Sequence, residues 1–178
     1  MTDPLAARIA RLEARAEIQE LLVRYTFLID DHEFSALGEL FTDDARFGSP
    51  GSSHVGRRQI VANYRKLGEL YPITLHEARG VVLGFTGDDR AQGQVLGYSE
   101  QANQKHTVVT SFRYADEYAR VGGRWRFVSR EVSTLYAMTH AEHAAGGLAW
   151  ELRKRWPHRA PAPAELPRHA PVEPATTP

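Results

Sequence analysis

The feature that constrains this chain most is a change of period at Pro72. Before it, apolar residues recur at helical spacing, as Leu5, Ile9, Leu12 and then Ile18, Leu22, Tyr25 and Ile29, with charges between them. After it the period is two. Ile73–Phe85 reads as a strand, Thr86 to Asp89 as a turn, and Arg90–Asn103 as a second strand in which Ala91, Gly93, Val95 and Gly97 alternate with Gln92, Gln94, Leu96 and Tyr98. His106–Arg120 and Arg124–Leu135 form a further hairpin around Val121, Gly122 and Gly123. Helices first and antiparallel strands after predict an α+β domain, with helices packed on one face of a curved sheet. The strand glycines suit bulges and sharp curvature.

The helical half divides further. Thr2 or Asp3 can cap a helix that has Pro4 at its first position. The apolar stripe shifts register near Ala16, so Leu5, Ile9 and Leu12 are left for a subunit contact and the later turns serve the core. A homo-oligomer, trimer or dimer, is the expectation. Phe34, Leu37, Leu40 and Phe41 mark a short second helix, and TDDARF reads as a turn into a strand at Ala45–Phe47. GSPGSSHVG is a loop, and Arg57–Leu70 is a third helix with Ile60, Val61, Tyr64 and Leu67 on one side. Beyond His140 the pattern decays. The organisation expected is a domain over residues 1–145, a short helix or extension over 146–156, and a flexible tail over 157–178, which holds seven of the ten prolines and no catalytic residue.

Bulk properties exclude several functions. With 178 residues, one domain with a real core is expected. Lysine plus arginine (22) equals aspartate plus glutamate (22), so the basic footprint of a nucleic-acid binder is missing. No apolar run reaches spanning length and the N-terminus has no apolar signal core, which predicts no membrane partner and a cytoplasmic location. The absence of cysteine removes disulfides, thiol nucleophiles and iron–sulfur ligation together. His140 and His143 can share a helical face, but a zinc site needs a third ligand at recognisable spacing, and none follows. No metal and no cofactor is expected.

What remains is a small set of acid–base groups. Asp30 ends an apolar-faced helix beside Asp31, which reads as solvated. His76 lies on a strand after Ile73, Thr74 and Leu75. Alone it is an ordinary half-buried strand residue; held by a carboxylate it becomes a base with one tautomer fixed. Asp30 is the candidate partner. Tyr25 faces the core one turn before Ile29, either as packing or as a donor to a substrate oxygen. His106 shares strand parity with Val108, Thr110, Phe112 and Tyr114, at the wall or rim of the same cavity. Phe112, Tyr98 and Arg113 are further candidates for the pocket wall. Arg113 and Arg130 sit inside apolar strand patterns, either paired with Asp116, Glu117 or Glu131 or available to a developing anion.

The segments ARAEIQELLVRYTFLIDDHEFSALGELFTDDARF, TLHEARGVVLGF and FRYADEYARVGGRWRFVSR, in that order, resemble the SnoaL-like branch of the nuclear transport factor two superfamily from about Leu5 to His140. The resemblance implies a cone, a strongly curved antiparallel sheet around a pocket closed by three N-terminal helices. Within that branch the chain is most similar to the hexachlorocyclohexane dehydrochlorinases, scytalone dehydratases and bile-acid 7α-dehydratases, which are cofactor-free lyases with an aspartate–histidine pair. Asp30 and His76 fall at those positions, and Arg130 falls at the arginine that assists the leaving group. Tyr25 stands where the dehydrochlorinases have lysine and the bile-acid enzymes tyrosine, which favours an oxygen leaving group or a carbonyl. The expected function is a cofactor-independent lyase, dehydratase-like, acting on a hydrophobic ring compound. The alternatives are a ring isomerase or polyketide cyclase with the same dyad, a non-catalytic ligand-binding module, or the small subunit of an oxygenase.

Overall fold

The computed structural model describes residues 4–167. Helices α1 (Pro4–Asp30), α2 (Phe34–Gly38) and α3 (Arg57–Leu70) interleave with β1 (Phe41–Ser49) and β2 (Ser52–Val55). Then come β3 (Ile73–Phe85), β4 (Arg90–Ala102), β5 (Thr107–Val121), β6 (Arg124–Thr139), the short α4 (His140–Ala144) and a 3₁₀ turn at Gly147–Ala149. The cap expected from Thr2 or Asp3 lies outside the described residues.

The six strands form one sheet in the order β2-β1-β6-β5-β4-β3. The architecture is the expected α+β one, helices against a curved sheet. It departs from the expectation in one pairing: β1 runs parallel to β6, so the sheet is mixed. The chain between them contains α3 and four strands, long enough for the crossover that a parallel pair requires. The loop expected at GSPGSSHVG is instead a tight hairpin, β1 against β2.

Bulges set which side chains face inward. Ala78 pairs with Gly97 and Gly80 with Leu96, so an extra residue sits in β3 at Arg79. On β6, Phe127 lies opposite Tyr118 and Arg130 opposite Asp116, three residues matched against two. That extra residue turns Arg130 to the inner face. On β5 the alternation is unbroken, and Val108, Thr110, Phe112, Tyr114, Asp116 and Tyr118 are all buried.

The core lies where α1 crosses the inner face. Ile18, Leu22, Tyr25 and Ile29 are buried against Phe41, Tyr118 and Phe127, and each such aliphatic side chain contributes about 1.5–3 kcal/mol. Leu5, Ile9 and Leu12 are exposed, at 58%, 48% and 65%. Helix α1 stops in a Schellman motif: Glu33 N–H donates to Leu28 C=O at 2.9 Å and His32 N–H to Ile29 C=O at 3.1 Å. His32 has φ +58°, the left-handed position usually given to glycine. This reversal fixes Asp30 as the last helical residue, aimed at the sheet.

The C-terminal expectation needs correction. Of the short helix or extension expected over 146–156, the structure has the extension, after a single 3₁₀ turn. Residues 157–167 are laid back across the sheet instead of trailing away. Lys154 bridges Ala137 on one side and Ala162 on the other. Glu165 accepts the Thr134 N–H at 2.9 Å, Leu166 N–H donates to Thr134 C=O at 3.1 Å, and the Leu166 side chain is 3% exposed. The prolines, which lack N–H groups, suit a segment that pairs only at isolated points. The rest of the expected tail, residues 168–178, lies outside the described residues. Among the described residues no helix is long and apolar enough to cross a membrane.

Candidate active site

Asp30 and His76 meet at the wall of a cavity. From the end of α1, Asp30 Oδ1 accepts His76 Nδ1–H at 2.7 Å, and Oδ2 accepts the His76 backbone N–H at 2.8 Å. Thr74, two residues earlier on the same face of β3, donates its hydroxyl to Oδ1 at 2.8 Å. Three donors thus converge on this one carboxylate. Because the carboxylate takes Nδ1–H, the neutral imidazole keeps its lone pair on Nε2. The side chains are 12% and 20% exposed, partly withdrawn from water.

The cavity has a volume of about 240 Å³. His76, Tyr25 and Ile29 line it from one side, Phe112, Tyr114 and Val132 from the sheet. Tyr25 and Tyr64 hydroxyls hydrogen-bond to each other. Tyr64 and Tyr114 are held well above the ordinary phenol pKa, first by burial and then by the neighbouring Tyr25. These phenols therefore stay protonated and keep O–H groups for donation. Thr110 Oγ1, on a residue 4% exposed, has no hydrogen-bond partner and also lines the cavity. Phe112 can lie flat on the floor because its neighbour on β4 is Gly97: a Cβ there would come within 2.1 Å of the ring.

Arg130 does not line this cavity. Its Nε and Nη2 donate to Asp116 Oδ1 and Oδ2 at 2.8 and 2.6 Å, and both side chains are sealed, at 1% and 0% exposed. Burial works against its charge, but Asp116 outweighs it and holds the guanidinium firmly protonated. The guanidinium carbon lies 4.2, 4.0 and 4.1 Å from the ring centroids of Tyr25, Tyr114 and Phe127. Its positive charge thus stands behind the tyrosines, and Arg130, expected to stabilise departing or developing negative charge, does not itself reach the cavity.

Three other expectations are also corrected. Arg113 is exposed on the outer face. Tyr98 is on that outer face too, with Arg79 stacked over its ring at 4.3 Å and its hydroxyl on Glu100 at 3.0 Å. Parity decides both: their inward neighbours are Phe112, Tyr114, Gly97 and Ser99. His106 stands on an exposed turn, its N–H held by Asn103 Oδ1 at 3.0 Å. It borders a separate crevice shared with Trp156 and Arg159. Phe112 is in the wall, as expected. Among the described residues no three His, Cys, Asp or Glu side chains gather as a metal site.

The sequence reading missed the mouth. Trp156, His158 and Arg159 line the cavity from the C-terminal segment. The Tyr71 hydroxyl bonds His158 Nδ1 at 3.2 Å, and the Trp156 ring lies 6.2 Å from that of Tyr71. No periodicity marks this stretch; the only signal was two aromatic residues, Trp156 and His158, around a proline. Tyr64, Thr74 and Tyr114 were recoverable from face parity with residues already chosen.

Comparison with known proteins places the chain in a family. A model of the SnoaL-like domain family matches residues 10–131. Gamma-hexachlorocyclohexane dehydrochlorinase of Sphingobium indicum is 27% identical over 134 residues, covering 71% of this chain and 83% of that protein. A crystal structure from Novosphingobium aromaticivorans, proposed to be a scytalone dehydratase, superposes with a TM-score of 0.71 at 19% identity, over 75% of this chain and 91% of that one. A type 2 hexachlorocyclohexane dehydrochlorinase gives a TM-score of 0.69 at 21% identity, over 74% and 92%. With the family model matching residues 10–131, well over half of the chain, this protein belongs to the SnoaL-like domain family.

Proposed function

We propose that this protein is a cofactor-independent lyase of the dehydratase type, acting on a small hydrophobic ring compound through Asp30 and His76. The observation that carries the reading is the double grip of Asp30 on His76 at a cavity wall, Oδ1 on Nδ1 and Oδ2 on the backbone N–H. A structural strand histidine needs no such anchoring. A general base does, because orientation and tautomer decide whether Nε2 can take a proton. The similarity to a dehydrochlorinase supports elimination as the reaction class.

In the reaction proposed, His76 Nε2 removes a proton from the carbon beside a ring carbonyl. The C–H electron pair becomes the new C=C bond, the C–O bond at the next carbon breaks, and the departing hydroxide takes the proton from the imidazolium to leave as water. Asp30 stabilises the imidazolium between the two transfers. Tyr25, with Tyr64 and Tyr114 beside it, donates to the carbonyl oxygen as charge builds there. Such preorganised donors in a water-poor site supply a large part of rate enhancement. Arg130 reinforces them from behind through its positive charge. Tyr25, in place of a cationic side chain, suits oxygen better than halide. The cavity of about 240 Å³ fits one or two rings, below the roughly 300–1,000 Å³ of pockets for larger ligands.

The test is turnover of cyclic β-hydroxy ketones of one or two rings, followed by the absorbance of the conjugated enone. Wild-type protein should convert at least one member, and folded His76→Ala should lose roughly 10²–10⁴-fold in rate. A folded His76→Ala protein with wild-type turnover would reduce the site to a binding pocket.

A further inference from the structure

Among the described residues, one positive charge at the cavity mouth has no compensating carboxylate, and it stands on a segment that takes no part in the acid–base chemistry. None of the residues lining the cavity is an aspartate or glutamate. The carboxylates nearby are committed: Asp30 to His76 and Glu165 to Lys154 and the Thr134 N–H. His158 is held neutral, its pKa lowered by burial and by the neighbouring Arg159. Arg159 is exposed, lines the mouth, and has no carboxylate partner among the described residues. Its backbone is nevertheless fixed, since its N–H donates to Trp156 C=O at 2.9 Å, and Trp156 and His158 pack on Tyr71.

We infer that Arg159 is a specificity residue and that the substrate of this cavity is a ring compound bearing a carboxylate, which pairs with Arg159 at the mouth while the ring reaches His76. The inference rests on the reading of the cavity as the substrate site. A guanidinium presents a planar fork of N–H donors that matches a carboxylate, and it does so from a fixed backbone. A single unpaired charge calls for a monoanion. Inside the cavity the polar groups are of another kind: phenol hydroxyls and Thr110 Oγ1, buried and without a partner, which suit a neutral oxygen. The site is thus divided, charge recognition at the rim and neutral hydrogen bonding within. A carboxylate driven deep instead would meet only neutral hydroxyl donors beside the apolar wall of Ile29, Phe112 and Val132, and would give up more of its hydration than at the exposed rim.

Calorimetric binding of two probes of one shape, 2-naphthoate and its neutral amide, tests this on the full chain at low salt. Wild-type protein should bind the carboxylate about tenfold more tightly, the scale of one charge-assisted hydrogen-bonded pair at a wet rim. Arg159→Gln should abolish that preference while leaving the amide's affinity in place, and Arg159→Lys should restore part of it. Equal affinities in the wild type, a preference that survives Arg159→Gln, or no binding of either probe would each overturn the inference. Weakening of both probes alike in Arg159→Gln would assign Arg159 to docking of the segment, and would overturn it as well. His76→Ala separates this from the lyase reading: it should lose turnover and keep the carboxylate preference.

Discussion

Asp30 holds His76 at two points, the ring Nδ1–H on one carboxylate oxygen at 2.7 Å and the backbone N–H on the other at 2.8 Å. The same carboxylate therefore positions the base and ties the end of α1 to β3. With the Thr74 hydroxyl it accepts three hydrogen bonds in all. An asparagine has one acceptor oxygen, so its NH₂ either opposes the His76 backbone N–H or takes the place of the oxygen that holds Nδ1–H, where it favours the other tautomer. Asp30→Asn should cost stability, roughly 1–3 kcal/mol for the donor left unpaired, and should also lose activity because Nδ1–H is no longer fixed opposite a charge. Thermal unfolding measured beside turnover checks both arms. An Asp30→Asn protein unchanged in either would show that one of the two contacts is idle.

Arg130 and Asp116 make the second prediction. The pair is sealed, and Tyr118 also donates to Asp116 at 2.6 Å. Arg130→Ala leaves a buried carboxylate with a single phenol as partner. Breaking a buried pair from one side typically costs about 3–5 kcal/mol. Denaturant unfolding should show a loss of that order, and the molecules that stay folded should also turn over more slowly, because the positive charge behind the tyrosines is gone. A stable Arg130→Ala protein that is nonetheless inactive would move Arg130 from support of the tyrosines to the reaction itself.

Much of the site was legible because strand parity is a strict rule. Ile73–Phe85 was bounded correctly, and parity on it puts Thr74 and His76 on one face. Helical spacing put Tyr25 and Ile29 inward. The same parity turns Tyr98 and Arg113 outward, since their neighbours Gly97 and Phe112 face inward. Arg130 was different in kind: only the bulge between Phe127 and Ser129 turns it inward, and nothing local announces a bulge there. The parallel pairing of β1 with β6 and the docking of residues 157–167 are tertiary choices, made by contacts among residues far apart in sequence. Composition marked the C-terminal stretch as unable to hold itself in place, and that holds for an isolated segment; its anchors are Thr134, Ala137 and Tyr71 on the body of the domain.

That docking should be sensitive to acid. Burial alone would raise the Glu165 pKa, but Lys154 and the Thr134 N–H outweigh it and hold Glu165 below the usual 4.5. Glu142 is lowered in the same way, burial again opposed, by the Thr139 N–H and the Arg155 guanidinium. For a carboxylate depressed on folding, the stabilisation is complete above its unfolded pKa and is lost as pH falls through the folded one. Docking should therefore be constant at neutral pH and weaken only below about pH 4.5, as both glutamates take protons. Hydrogen exchange at the Leu166 and Thr134 amides, followed from neutral to acidic pH, reads this directly. Glu165→Gln should remove most of the pH dependence; loosening that begins near pH 6 instead would point to His158.

The last prediction concerns removal of the segment. A chain ending at Trp156 loses the Leu166 side chain from its buried site, the Glu165 carboxylate from the Thr134 N–H and Lys154, and His158 from Tyr71. Burial of one leucine is worth about 1.5–3 kcal/mol, and the buried Thr134 N–H left without its acceptor adds roughly 1 kcal/mol or more. For a domain of this size each kcal/mol corresponds to about 2–4 °C in Tm, so the truncated protein should melt roughly 5–15 °C lower. It should also bind ring ligands more weakly, because one wall of the cavity mouth is gone. A chain ending at Pro167 is the matched control and should behave as the full chain does if the anchoring lies within 157–167. Leu166→Ala, which keeps Glu165, His158 and Arg159 in sequence, divides the effect: it should lower Tm by the burial share alone and leave the carboxylate preference at the mouth. If the chain ending at Trp156 melts and binds like the full protein, the segment rests on the sheet without contributing to it.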